Sequence, residues 1–352
     1  MVLAFAERHR DKGPATDVLI DALAHTGRSG LRRRPKLLWF SYQAHGGNAH
    51  PKALSHYRLA LIGASLEIFQ DAANIHDDIV DRSATRRGHT SLATYLSEHH
   101  YAEGWLGDPT HFGMALALLV GDIVLLAGDR TFRYAVEDPI DPEQRAFLTR
   151  LHEECNSEAA LGYFLDAAGP RFPDMPEPDV LVEQAMGVVR TKSARFRVAM
   201  PFAMGAAAAG ADREACDAMI KCGLLAGEAF QLRDDQLSTT GSPTLTGKPV
   251  GGDLQEGKRT ALIGLTLQRL SPADRRTFIR ALQRGDAPLA EERVLFLQQV
   301  IAQSGALEVL EELIQTKVRQ ATEAIEATNL DPTGKALLEY ATVAISSPHQ
   351  HI

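Results

Sequence analysis

Cysteine is scarce in this chain: Cys155, Cys216 and Cys222 are the only three among 352 residues. Their separations match no metal-ligand spacing and an odd count leaves one thiol unpaired. A disulfide scaffold is therefore excluded, the thiols read as small buried apolar residues, and a reducing, cytoplasmic setting is expected. A surplus of positive charge is lacking as well. The 37 lysines and arginines are outnumbered by 45 aspartates and glutamates, for a formal net charge of −8, so no global attraction to nucleic acid or to an anionic membrane is expected. Long unbroken apolar runs are missing. The longest, residues 114–128, is interrupted by Asp122 and reads as a buried helix, not a membrane span. The opening MVLAFAERHR has no basic head, long apolar core or cleavage site, so a signal peptide is not expected. Strand-like alternation, solenoid repeats, low-complexity tracts and linker-like stretches are also missing. One soluble domain over residues 1–352, with a peripheral start and tail, is the expectation that remains.

What the sequence does have is helical periodicity over a composition that is 45% hydrophobic and 23% charged, enough for a sizeable core. Leu61, Ile68, Ala72, Ile75 and Ile79 recur at intervals of three, four and seven, one apolar face of a helix over residues 59–81. Similar patterns predict helix-rich segments over 111–135, 143–166, 180–210, 212–238 and 258–284, and the tail from 290 to about 345 is also periodic. Turn signals fall at 83–91, 104–110, 168–178 and 239–257. The fold class is thus all-α, a large helical bundle.

Within this apolar background, aspartates form two stripes. Gln70, Asn74, Asp77 and Asp81 share one helix face, and Asp78 crowds Asp77 within the same turn. Gly227, Gln231, Asp234 and Ser238 repeat the four, three, four spacing, with Asp235 adjacent. One stripe alone is as well explained by a solvated helix end. Two of them in apolar helices suit Mg²⁺, which takes a few carboxylates and completes its shell with waters and phosphate oxygens. Neither stripe has the central glycine and closing glutamate of an EF-hand. Basic loops follow each stripe: Arg86 and Arg87 after the first, Lys248, Lys258 and Arg259 after the second. Each pair alone could be ordinary surface charge. Acidic helix followed by basic loop, twice, points to a diphosphate clamp bridged by metal.

Asp77-Asp78-Ile79-Val80-Asp81 and Arg86-Arg87-Gly88, with Phe230-Gln231-Leu232-Arg233-Asp234-Asp235, Gly247-Lys248-Pro249 and residues 253–260, resemble the motifs of the trans-polyprenyl diphosphate synthase family. The actinobacterial geranylgeranyl diphosphate synthase type is the nearest in character, over nearly the whole chain. Leu119-Val120-Gly121-Asp122 and Lys192-Ser193-Ala194-Arg195-Phe196 agree with it. The resemblance implies the isoprenoid synthase helical bundle around a central cavity, a homodimer, and three Mg²⁺ ions. Asp77, Asp81 and Asp234 would ligate these ions, supported by Asp78 and Asp235. It assigns Arg86, Lys192, Ser193, Gln231, Lys248 and Lys258 to the allylic diphosphate (dimethylallyl, geranyl or farnesyl). It assigns Arg87, Gln70 and the arginines of Gly30-Leu31-Arg32-Arg33-Arg34-Pro35 to isopentenyl diphosphate. Catalysis would fall to Asp77, Asp81, Lys192, Gln231 and Asp234: metal and cations stabilise the departing diphosphate, and Ser193 and Gln231 turn dipoles toward the allylic cation.

Four positions depart from the family pattern. Ser238 replaces a final aspartate, Tyr163 stands where a glutamine is usual, Leu31 replaces a lysine and Gln70 a histidine. The last two weaken the expected acceptor site and keep open a cyclising terpene synthase of the same fold, with a non-catalytic subunit of a heteromeric synthase as a remoter reading. For product length the resemblance points to Ala72 and Ala73, which leave room beside the growing chain, so growth passes fifteen carbons unless Phe69, further up the same helix, forms the floor. A twenty-carbon product is expected. The alternative is that these alanines only allow close helix packing.

Overall fold

In the computed structural model, the residues described are 2–26, 32–47, 49–86, 88–240, 251–283 and 289–347. The chain divides into two compact units, Met1–Lys36 with Leu54–Ile140, and Leu37–Ala53 with Asp141–Ile352.

The first unit contains α1 (Val2–Glu7), α2 (Pro14–His25), the start of α3 (Arg33–Ala44), α4 (His56–Val80), β1 (Thr85–Arg86), β2 (His89–Thr90), α5 (Leu92–Ala102) and α6 (Pro109–Ala135). Helix starts are set by local chemistry. Ser55 and Ser91 each accept a backbone N–H of the first turn of α4 and α5, and Asp108 does so for α6, where Pro109 fills a position needing no donor. The core joins Ala72 and Ile75 of α4 to Ile20 and Leu23 of α2, Leu92 and Leu96 of α5, and Ala117, Val120 and Val124 of α6. Small residues let α6 approach α4. A Cβ on Gly121 would collide with the His76 ring, and one on Gly128 would sit 3.3 Å from the Phe69 nitrogen.

The expectation of a buried helix at 114–128 is corrected here. Only a third of the most apolar stretch of α6 is buried. One face packs on α4 and α5, while Met114, Leu118, Leu119, Leu125 and Leu126 are exposed around Asp122. Hydropathy counts apolar residues and is blind to whether a neighbour covers them. Among the described residues this is the one helix whose length and composition would suffice to cross a membrane. The hairpin of β1 and β2, two residues each, lies in a segment expected to be a turn and is too short to show alternation.

The second unit holds the rest of α3, then α7 (Pro142–Ala168), α8 (Pro178–Val188), a π-helical stretch at Val189–Ala199, α9 (Met200–Ala209), α10 (Arg213–Thr240), and helices at Gly252–Gln255, Ala261–Arg269, Pro272–Leu282, Glu291–Gln303, Ala306–Glu326 and Pro332–Ser346. Its core gathers Leu181 and Val189, Ala229 and Leu232 of α10, Leu262 and Leu267, Phe278, Leu297, and Leu310 and Ile314. The helix expected over 180–210 exists, but its middle widens into the π stretch, a form usually limited to single turns and often found at functional sites. Glycines on two neighbours cradle it. A Cβ on Gly162 of α7 would fall within 3.0 Å of the Lys192 backbone, one on Gly227 of α10 would lie 2.7 Å from the Ala194 oxygen, and Gly223 meets Ala199 in the same way. All three cysteines are free and buried. Burial pushes the thiols of Cys216 and Cys222 up to about 12 and about 11, where they are inert.

Candidate active site

The first acidic stripe runs down α4 and ends at its C-terminus. Asp81 caps the helix, its N–H donating to the Asp77 oxygen at 2.9 Å. Arg82 at φ 55 and Gly88 at φ 78 reverse the chain into the β hairpin, which folds Arg86 back over the stripe. Its Nε donates to Asp78 Oδ1 at 2.8 Å and its Nη2 to Asp77 Oδ2 at 3.1 Å, with a further bond from Nη2 to Asp78. Burial raises the proton affinity of Asp78, the charges of Asp77 and Asp81 add to it, and Arg86 opposes it. For Arg86 itself burial favours the neutral form, but the charge and hydrogen bonds of Asp78 and Asp77 outweigh it and its pKa is raised. The guanidinium thus acts here as the counter-cation of the stripe.

One and two turns earlier on α4 the polar network continues. Gln70 Nε2 donates to Asn74 Oδ1 at 2.8 Å, and Gln70 Oε1 accepts from Arg34 Nη2. Arg34 is buried and also donates to Glu67 Oε1 at 2.8 Å, while Arg32 reaches Glu67 Oε2 at 3.4 Å. Both ends of the Gln70 amide are therefore engaged within this unit. Glu67, which sequence reasoning passed over, organises the arginine group from a position one turn before Gln70. Phe69, Ala72 and Ala73 are buried on this helix. Leu31, Arg87 and Lys248 lie outside the described residues.

In the second unit, α10 carries Gln231, Asp234 and Asp235. Asp235 is buried, and its proton affinity is raised well above the ordinary carboxylate, first by burial and then by the charges of Asp253, Asp234 and Asp166, with the Gln231 hydrogen bond (2.6 Å) opposing. Asp234 is partly exposed and lies 3.7 Å from Arg197 Nη1. Among the described residues the buried Gln231 Oε1 has no hydrogen-bond partner, so it remains available as an acceptor. Lys258 pairs with Glu256 at 2.6 Å and with Asp253 at 3.7 Å. Lys192, on the π stretch, donates to Asp166 Oδ2 at 2.5 Å, and Ser193 beside it is buried. Arg233, the buried middle of the second motif, turns the other way. It forks onto Glu311 at 2.5 and 2.7 Å and reaches the Ser346 carbonyl at 3.3 Å, tying α10 to the C-terminal helices.

The structure thus joins Asp77, Asp78 and Arg86 in one unit, and Lys192, Gln231, Asp234, Asp235 and Lys258 in the other. It adds Asp166, Asp253 and Arg197, which spacing did not single out. Asp166 sits three residues beyond Tyr163, and Asp253 opens the segment that ends at Thr260. Among the described residues no three His, Cys, Asp or Glu side chains form a metal cage. Paired hard oxygen donors beside lysines and arginines instead fit a cation such as Mg²⁺ that a substrate polyanion helps to coordinate. The mutual repulsion recorded at Asp235 is what such a cation relieves.

A helical chain with aspartate pairs on α4 and α10, and an arginine and lysines close to carboxylates in each unit, is of the class that handles metal-bridged diphosphates. The chain belongs to the polyprenyl synthetase family, whose profile matches residues 16–298. It is 30% identical over 325 residues to the geranylfarnesyl diphosphate synthase of Aeropyrum pernix, covering 92% of each chain. It is 26% identical to the short chain isoprenyl diphosphate synthase of Methanothermobacter thermautotrophicus, over 95% of this chain and 91% of that one. Among solved structures it resembles the geranylgeranyl pyrophosphate synthase of Corynebacterium glutamicum in complex with isoprenyl diphosphate and magnesium. There the TM-score is 0.88 and the identity 30%, over 99% of this chain and 95% of the other.

Proposed function

We propose that this protein is a trans-prenyltransferase that condenses isopentenyl diphosphate with an allylic diphosphate and releases a trans-prenyl diphosphate of about twenty carbons. The observation that carries the proposal is the cluster of the second unit, where Asp234, Asp235, Asp166 and Asp253 crowd together beside Lys192 and Lys258. Burial and the charges of Asp253, Asp234 and Asp166 raise the proton affinity of Asp235, an effect that a bound cation offsets, and ammonium groups beside carboxylates are suited to phosphate oxygens.

Asp77 and Asp81 with Asp78, and Asp234 with Asp235, would hold Mg²⁺, three ions in all. Bound there, the metal supplies Lewis-acid stabilisation of charge on the leaving diphosphate. Lys192, Lys258, Lys248 and Arg86 bind that diphosphate by charge-assisted hydrogen bonds, for which Arg86 exchanges its aspartate partners. The buried Ser193 and the unpartnered Gln231 oxygen face the allylic carbon with negative dipole ends and exclude water from its cation. Arg32, Arg33, Arg34, Gln70 and Arg87 bind the acceptor, isopentenyl diphosphate. Phe69, Ala72 and Ala73 line the tail of the product and set its length.

The family match runs from the first unit into the second, which supports treating residues 1–352 as one synthase domain. The exposed leucines of α6 are of the kind buried between subunits, which supports a homodimer. The buried, reduced cysteines support a cytoplasmic setting.

The engagement of Arg34 with both Glu67 and Gln70 favours a second reading, in which a prenyl diphosphate is ionised and cyclised with no acceptor. One assay separates the two: labelled isopentenyl diphosphate with each short allylic diphosphate in turn, with and without Mg²⁺. A labelled prenyl diphosphate that forms only with both substrates and metal is the expected result. Diphosphate release and hydrocarbon from the allylic substrate alone would overturn it in favour of the cyclase.

A further inference from the structure

Tyr163 occupies a position where the family resemblance leads one to expect a glutamine, and the chemistry above leaves it without a task. On α7 it follows Gly162 and precedes Asp166 by three residues, so its ring and the Asp166 carboxylate point to the same side. Lys192 Nζ stands 4.5 Å from the centre of the Tyr163 ring and 2.5 Å from Asp166 Oδ2. The Lys192 side chain is only 14% exposed. Its backbone is fixed as well, because Gly162 allows α7 to touch it directly.

We propose that Tyr163 is a positioning residue for Lys192: its ring face holds the ammonium ready for the allylic diphosphate when Asp166 gives it up. The inference rests on the diphosphate-handling role of Lys192 stated above. A carboxylate and a diphosphate compete for the same ammonium, so the ion pair with Asp166 must yield as the substrate arrives. The ring does not compete. It attracts the cation through its quadrupole, carries no formal charge to repel an incoming anion, and uses none of the lone pairs a glutamine amide would offer. The lysine stem is flexible, and a partner that stays in place in both states keeps it from searching its rotamers at each turnover. The π face of the ring, 4.5 Å from Lys192 Nζ at its centre, carries the hold.

The test pairs kinetics with a readout that needs no turnover. Steady-state rates are measured with the allylic diphosphate varied at saturating isopentenyl diphosphate. Separately, the rate at which an acylating reagent modifies Lys192 in the substrate-free protein is followed by mass spectrometry. Tyr163→Phe keeps the ring and should leave both quantities within about two-fold of the parent. Tyr163→Leu removes the quadrupole and should raise the allylic KM by about 3- to 10-fold, a cation–π contribution expressed as an affinity. The KM for isopentenyl diphosphate should not move, and Lys192 acylation should quicken by a similar factor. Tyr163→Met serves as the second aliphatic variant, with the same expectation, if the leucine variant does not fold. Aliphatic variants that match the parent in both measurements, or a phenylalanine variant that fails with them, would overturn the proposal. A parent protein that makes no prenyl diphosphate would instead refute the function. The acylation rates would still decide whether Tyr163 holds Lys192.

Discussion

Gly162→Ala sets two opposed effects against each other at one atom, and their magnitudes decide the outcome. In the interior of a helix alanine is favoured over glycine by about 1 kcal/mol. At Gly162, however, the added Cβ would lie 2.7 Å from the Lys192 Cβ and within 3.0 Å of the Lys192 nitrogen and Cα. Two of these three atoms are backbone and cannot rotate away, so α7 and the π stretch must separate. Overpacking of this kind costs about 1–3 kcal/mol, and with rigid neighbours the upper end applies. The net expectation is a loss of about 2 kcal/mol, a fall in Tm of roughly 4–8 °C for a unit of this size. Gly187 is the internal control: it sits in α8 with nothing within 4 Å of its added Cβ, so Gly187→Ala should raise stability by about 0.5–1 kcal/mol. Differential scanning calorimetry reads both. If Gly162→Ala melted at or above the parent and moved in step with Gly187→Ala, the close approach of α7 to Lys192 would be refuted.

Further outcomes are expected. Asp77→Ala and Asp234→Ala should each lower kcat by two orders of magnitude or more at saturating Mg²⁺, about 3 kcal/mol of lost stabilisation, with Ser238→Ala close to the parent. Equal behaviour of Asp234→Ala and Ser238→Ala would show that the second stripe holds no metal. Ala72→Phe should shorten the main product while turnover continues, read by chromatography of the dephosphorylated prenols; an unchanged product from the folded variant would mean that Ala72 only permits packing. Arg233 holds the Glu311 carboxyl down, from an ordinary 4.5 to about 2. That carboxyl therefore contributes stability above its unfolded pKa and loses it as the pH falls through its folded one. Urea unfolding of the parent should show a decline between pH 4.5 and 2 that Glu311→Gln lacks. Parallel curves for the two proteins would mean that the pair contributes nothing.

Much of this could be read from residue spacing, because the chemistry lies within single helices. Asp77 and Asp81, and Gln231, Asp234 and Asp235, are local patterns, and the helices that carry them have strong apolar periods. The short helices α2, α3 and α5 were not read, since their periods are brief and their signals are single residues: Pro14 at the start of α2 and Ser91 before α5. The π stretch could not be read either. Its width is set by glycines at 162, 223 and 227 on other helices, and nothing in residues 189–199 alone records those neighbours. The same holds for the partners of Lys192, which lie 26 and 29 residues away in sequence at Asp166 and Tyr163. The apolar run of α6 was misjudged for a related reason, because composition reports how greasy a helix is and not which of its faces has company.

The silence of the cysteines has a practical consequence. Cys155, Cys216 and Cys222 are buried, and burial also pushes the thiols of Cys216 and Cys222 up, so the folded protein offers a maleimide no exposed native thiol. A single cysteine placed on the surface, at Tyr101 of α5, where the side chain is 81% exposed, would be the sole reactive site among the described residues. The wild-type chain is thereby already a background for site-specific dyes and spin labels, and motions of individual helices during turnover can be followed without first removing any thiol.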